Sequence, residues 1–195
     1  MRGATLRQAL WHPHVNAVNP DPAMRGWLTS GGSLTAKLIA HSAAFRVQRL
    51  HQRTALCLAD EARTVGMARP GRVWEREVLL RCDSAPVVFA HTVVPMSASA
   101  SDWPLFSALG ERSLGSTLFY DPQVRRGALE FARIRAGHPL MLRACAALGL
   151  AQDETTFYAR RCLYRRHRGT LLVTEVFLPS VRALAALQQI KNTRT

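Results

Sequence analysis

The 195-residue chain has only four cysteines, Cys57, Cys82, Cys145 and Cys162, and they form neither a CxxC pair nor a CxxC with a downstream HxxxH. Zinc fingers and disulfide scaffolds need cysteines gathered at short fixed intervals, so neither is expected and all four read as isolated, unpaired residues. The seven histidines make no HExxH, and His12 and His14 flank Pro13 in a stretch that reads as a loop. No metal site is expected. Neither GxGxxG nor GxxxxGK[ST] occurs, so no nucleotide cofactor is called for. The longest apolar runs are strand-sized, well short of the ~20 residues a membrane helix needs. Acidic residues are scarce as well, 13 against 26 Lys and Arg, for a net charge of +13.

What remains is the composition of a soluble globular domain: 48% hydrophobic and 20% charged residues. No linker divides the chain, so residues 1–195 read as one domain, expected to be a monomer. The opening MRGATLRQALWHPHVNAV has no continuous apolar segment of the kind a secretory signal carries. A cytoplasmic location is expected. A +13 balance favours an anionic partner, either a polyanion or a small anion. The best nucleic-acid candidate is the run Arg160-Arg161 and Arg165-Arg166-His167-Arg168 with Tyr158 and Tyr164 interleaved. Its alternative is a solvated hairpin turn ending at Gly169, which is favoured because a turn between strands is where charge is cheapest.

Periodicity gives an α+β pattern. Leu6 to Trp11 reads as a short amphipathic turn or helix. Asp21 is placed to cap a helix running to Leu28 with Pro22 at its first position, and Ser33 to cap a second through Ala40. Strands are expected at Phe45 to Leu50, Arg72 to Cys82, Pro86 to Pro95 and 128–135, with a hairpin over 155–179. Helical or turn structure is expected over 103–120, a helix from Pro139 to Leu148 and a terminal helix from Val181 to Gln189. Consecutive hairpins with helices between and around them argue for a single antiparallel sheet of about six strands with helices packed on it.

Three polar residues stand out on apolar strand faces. In LLVTEVFLP, Glu175 shares its face with Val173 and Phe177; in RVWEREVLLRC, Arg76 shares its face with Trp74, Val78 and Leu80. A carboxylate among apolar residues needs a cation, a ligand or a solvent-facing edge. Pairing Cys82 with Val87 across the Asp83-Ser84-Ala85-Pro86 turn would bring His91 onto the face of Arg76. Arg76 and Glu175 are then either a structural ion pair or two walls of a binding site.

Six stretches, GGSLTAKL, VWEREVLL, FAHTVVPMS, LGERSLGSTLF, YARRC and LLVTEVFLP, follow in the order seen in the chorismate pyruvate-lyase family, which the chain resembles from about residue 20 to 179. His91 stands where that family usually has Arg, and Leu34 where a Met can occur. The insertion around 136–154 and the extension at 180–195 are longer than in short members. The resemblance implies conversion of chorismate to 4-hydroxybenzoate and pyruvate at the start of ubiquinone biosynthesis. It implies no metal and no cofactor, with helical flaps closing a buried pocket. It further implies Arg76 and Glu175 as catalytic and substrate-binding residues, with Leu114, Leu34 and His91 as further substrate contacts. A related fold serves as the effector-sensing domain of bacterial transcription regulators. That reading would call for a winged-helix segment longer than the twenty or so residues before Asp21.

Overall fold

The structure, a computed structural model, describes residues 8–98, 102–104, 106–150 and 156–184. Its centre is one six-stranded antiparallel sheet: β1 Phe45–Leu56, β2 Arg72–Cys82, β3 Ala85–Pro95, β4 Val124–Ile134, β5 Phe157–Arg166 and β6 Gly169–Phe177, in the order β1-β2-β3-β6-β5-β4. The long crossing from β3 to β4 leaves room for β6 to return between β3 and β5. The carboxylate-bearing strand is therefore central, with a neighbour hydrogen-bonded on each side.

Two hairpins close through two-residue turns. Asp83 and Ser84 both have positive φ, 49° and 70°, as tight turns matching the strand twist require. His167-Arg168 does the same job between Arg166 and Gly169. The basic run therefore ends in a hairpin turn, with Arg160 and Arg161 buried behind it. Arg166 is further committed to Asp121 Oδ2 at 2.9 Å.

Helices cover both faces. On one face lie α1 Pro22–Leu28, capped by Asp21 Oδ1 accepting from Met24 N at 2.9 Å, and α2 Leu34–Ala40, capped by Ser33. They bury Met24, Trp27, Leu28, Leu34 and Leu38 against Val78, Leu80, Val88 and Phe177. The third helix, α3 Leu114–Tyr120, lays Leu114 and Leu118 beside Tyr164 and Leu171. On the other face, α4 Pro139–Leu148 packs Leu140, Met141 and Ala144 on Leu79, Phe89, Ala159 and Val176. Residues 57–71 add Ala62 and Val65 against Val93 and Leu172.

Three expectations need correction. Residues 9–11 are not helical, because Asp60 Oδ2 accepts from Ala9 N and Trp11 Nε1 while His12 bridges to Phe131, tying the segment down extended. Strand β1 runs six residues beyond Leu50, accommodating a register shift between Arg49 and His51. The register of β2 on β3 shifts between Leu80 and Arg81, so Leu80 faces Val88 while Arg81 faces Pro86. Val87 is the extra residue of a β-bulge and moves every later residue of β3 to the opposite face from the one a straight count gives. The terminal helix begins at Val181 as expected, with 181–184 helical, and its remainder lies outside the described residues.

Candidate active site

The cavity face carries, row by row, Arg76, Val78 and Leu80 from β2, Ala90 and Thr92 from β3, and Val173 and Glu175 from β6. Arg160, Cys162 and Tyr164 of β5 continue the floor, and Arg126 and Leu129 of β4 complete it. The roof is Leu34 and Thr35 of α2 with Leu114, Gly115 and Leu118 of α3. Thr35 Oγ1 and Ser113 Oγ meet at 2.5 Å where the two helices touch. A Cβ on Gly115 would lie 3.0 Å from Thr35 Oγ1, so glycine lets α3 come that close to α2. Leu114 opens α3, and its N–H belongs to the first turn, where no intrahelical acceptor exists.

Four of the five residues implied by the resemblance, Leu34, Arg76, Leu114 and Glu175, thus line one cavity. Arg76 is 2% exposed, and its Nη2 donates to the carbonyls of Gly110 at 3.0 Å and Arg112 at 3.1 Å. Burial, with Arg49 nearby, lowers its guanidinium to about 10, still charged at neutral pH. Among the described residues its buried Nε has no hydrogen-bond partner.

Glu175 is not paired with Arg76. Its Oε2 accepts from Arg160 Nε at 2.5 Å, directly across the β5–β6 ladder, and Arg160 Nη1 donates to the carbonyls of Trp27, Leu28 and Ser30. Arg160 therefore anchors the α1–α2 segment and the carboxylate together. Sequence reasoning missed this partner, although the signal was present: with His167-Arg168 as a two-residue turn, counting back along the hairpin sets Arg160 opposite Glu175.

His91 is the correction. The bulge at Val87 pairs it with Glu77 and Thr174 and sends it to the far face, fully buried. There its Nδ1 lies 3.0 Å from Glu77 Oε1 and its Nε2 3.2 Å from Glu61 Oε1. Ala90 and Thr92 take its expected place at the cavity. Burial alone would lower the imidazole, but the Glu61 and Glu77 carboxylates outweigh it and raise His91 to about 10. Burial would likewise raise Glu77, yet His91 and Arg143 hold it down to about 2.

His51, Glu75 and Glu77 on that far face come within 4.8 Å of one another, a spacing that could hold a metal ion. Arg143 Nη1 lies 2.7 Å from both Glu75 Oε2 and Glu77 Oε1, so a guanidinium already supplies the positive charge a cation would bring. All four cysteines are free and buried.

Fold and cavity together define an α+β protein whose sheet floors a cationic, largely apolar pocket roofed by two short helices. The family profile for chorismate lyase matches residues 5–185. A probable chorismate pyruvate-lyase from Cupriavidus metallidurans is 47% identical over 180 residues, covering 92% of this chain and 84% of its own. One from Ralstonia nicotianae is 50% identical over 157 residues, covering 80% of each. Another from Dechloromonas aromatica is 42% identical over 179 residues, covering 92% and 99%. The chain belongs to the chorismate lyase family. Among solved structures, the effector domain of PhnF from Mycobacterium smegmatis superposes with a TM-score of 0.52 at 16% identity, over 76% of this chain and 90% of that one. A GntR-family regulator from Bacillus cereus does so at 0.51 and 15%, over 70% and 92%. These show a shared fold.

Proposed function

We propose that the chain converts chorismate to 4-hydroxybenzoate and pyruvate, the first committed step of ubiquinone biosynthesis. It would act as a single-domain, monomeric cytoplasmic enzyme without metal or organic cofactor. The observation that carries the reading is the meeting of Arg76, Glu175, Leu34 and Leu114 at one cavity in a member of the chorismate lyase family.

Chorismate bears one carboxylate on its cyclohexadiene ring and a second on its enolpyruvyl ether. Arg76 offers a planar fork to the ring carboxylate, and the Leu114 N–H a second donor to the same group. Leu34 and Leu114 supply apolar contact to the ring faces. Glu175 is assigned to the end of the ring that carries the hydroxyl and the ether. In the reaction the C4 hydrogen is lost, the C3–O ether bond breaks with its electrons on oxygen, and the departing enol takes a proton and becomes pyruvate. Aromatisation supplies the driving force, so the protein's work is to hold the substrate in reactive geometry, polarise or protonate the leaving oxygen and exclude water.

The test is direct. Purified chain treated with chelator and given chorismate should release 4-hydroxybenzoate and pyruvate in equal amounts. Tight binding of 4-hydroxybenzoate with no turnover of chorismate by folded protein would support a sensing domain in its place. Retention on DNA that collapses steeply with salt would favour the nucleic-acid reading.

A further inference from the structure

Resting on that reading, we infer that Arg126 binds the second carboxylate of the substrate, the one on the enolpyruvyl group, and so sets the enzyme's preference for a dianion over a monoanion.

The cavity's charge points there. Four ionisable side chains of opposite sign line it: Arg76, Arg126, Arg160 and Glu175. Arg160 and Glu175 cancel each other through their 2.5 Å contact. Arg76 and Arg126 are left, an excess of two positive charges facing a small space, and chorismate brings two negative ones. Like Arg76, Arg126 buries an Nε that has no hydrogen-bond partner among the described residues. An unanswered guanidinium N–H buried in a pocket is costly unless a ligand takes it up.

The side chain is also held for this purpose. Arg126 Nη1 donates to the carbonyl of Gly31, and the Phe119 ring lies 5.4 Å from the guanidinium, covering it. Its Nε edge remains to receive a carboxylate in a charge-assisted contact. Position matters too. Arg76 is on β2 and Arg126 on β4, with β3, β6 and β5 between them, so the two residues are rooted about 19 Å apart and reach into the cavity from opposite walls. A ligand with one carboxylate can satisfy one wall; a ligand with two can span both.

Cleavage separates the two carboxylates, the ring one staying with 4-hydroxybenzoate and the other leaving with pyruvate. The inference is tested by comparing chorismate KM with the inhibition constant of 4-hydroxybenzoate in wild type, Arg126→Met, Arg126→Lys and Arg76→Lys. Arg126→Met should raise KM about 10- to 100-fold, the range for losing a hydrogen bond to a charged group. It should leave inhibition by 4-hydroxybenzoate within about twofold. Arg126→Lys should recover part of the loss. Arg76→Lys should weaken both constants together, because its target stays on the product. In Arg126→Met, a shift of both constants together, or of neither, would overturn the inference, with thermal unfolding checked to show that the roof contact to Gly31 is not the cause. If wild type binds chorismate without turning it over, the proposed reaction fails while the chorismate Kd measured on the same variants still decides Arg126. If wild type does not bind chorismate at all, both fail.

Discussion

On the far face of the sheet, His91, Glu61, Glu77, Glu75 and Arg143 lie within reach of one another, each carboxylate meeting a cation at 2.7 to 3.2 Å. On the cavity face, Arg76 and Arg126 each bury an Nε that nothing in the described protein answers. On the far face the charges are opposite in sign and meet one another, so this closed set is worth its desolvation as structure. An open set is unfavourable in the free protein and becomes favourable when an anion arrives, which is how a binding site differs physically from a buried salt bridge.

Three changes would break or sharpen this contrast. The largest effect is expected from Glu175→Gln, which removes both charge and acid at the cavity. Turnover of chorismate should fall by about 10²- to 10⁴-fold. Stability should fall by only about 1–3 kcal/mol, because Arg160 keeps its three carbonyl acceptors. A variant that melts early yet turns over normally per folded molecule would move Glu175 from the open set to the closed one.

His91→Gln tests the other face. Removing the cation leaves Glu61 buried without a charged partner among the described residues, while Glu77 keeps Arg143, at a cost of about 3–5 kcal/mol. In a chain of this size that is roughly 6 to 20 °C in Tm. Activity per folded molecule should not change, since His91 does not line the cavity. Loss of turnover without loss of stability would mean the two faces are not separate.

The smallest effect is expected from a single unit of pH, at most about 1.4 kcal/mol for each titrating group. His91 is raised from 6.5 to about 10, so its contribution is complete below pH 6.5 and is lost as pH rises toward 10. Glu77 is lowered from 4.5 to about 2, so its contribution is complete above pH 4.5 and is lost as pH falls toward 2. Thermal unfolding of the free protein should therefore be best between about pH 4.5 and 6.5. His91→Gln should flatten the alkaline decline, and a wild-type optimum near pH 9 would contradict the charged-imidazole assignment.

Most of the fold was legible because local signals agreed with it: Asp21 and Ser33 as caps, alternation along β2, and a hairpin turn after Cys82, although that turn is the two residues Asp83-Ser84 and sets Cys82 opposite Ala85, not Val87. Alternation set Arg76 and Glu175 each on the apolar face of its own strand; that both faces line one cavity depends on the register through β3 and was implied by the family resemblance. What failed did so where a strand changes phase. The side of His91 depended on one unpaired residue, Val87, and nothing about a valine beside a proline announces a bulge. Arg126 went unremarked for a related reason: it sits on an edge strand in a run of polar residues, and its role emerges only when the roof and four other strands are assembled around it.

The bulge at Val87 has a counterpart in β4, where the register shifts between Arg126 and Leu129 and a Cβ on Gly127 would lie 2.8 Å from the carbonyl oxygen of Leu163. Because of that extra residue Arg126 and Leu129, one even-numbered and one odd, both line the cavity. The pocket is thus written partly in spacing. Ala90 could become another small residue and leave the floor in place, but a ladder that ran straight on from Arg81 and Pro86, with Val87 opposite Leu80, would turn β3 over, bringing His91 in against Arg76 and carrying Ala90 and Thr92 out among the carboxylates. For these two strands, a change of register is a graver alteration than a change of side chain.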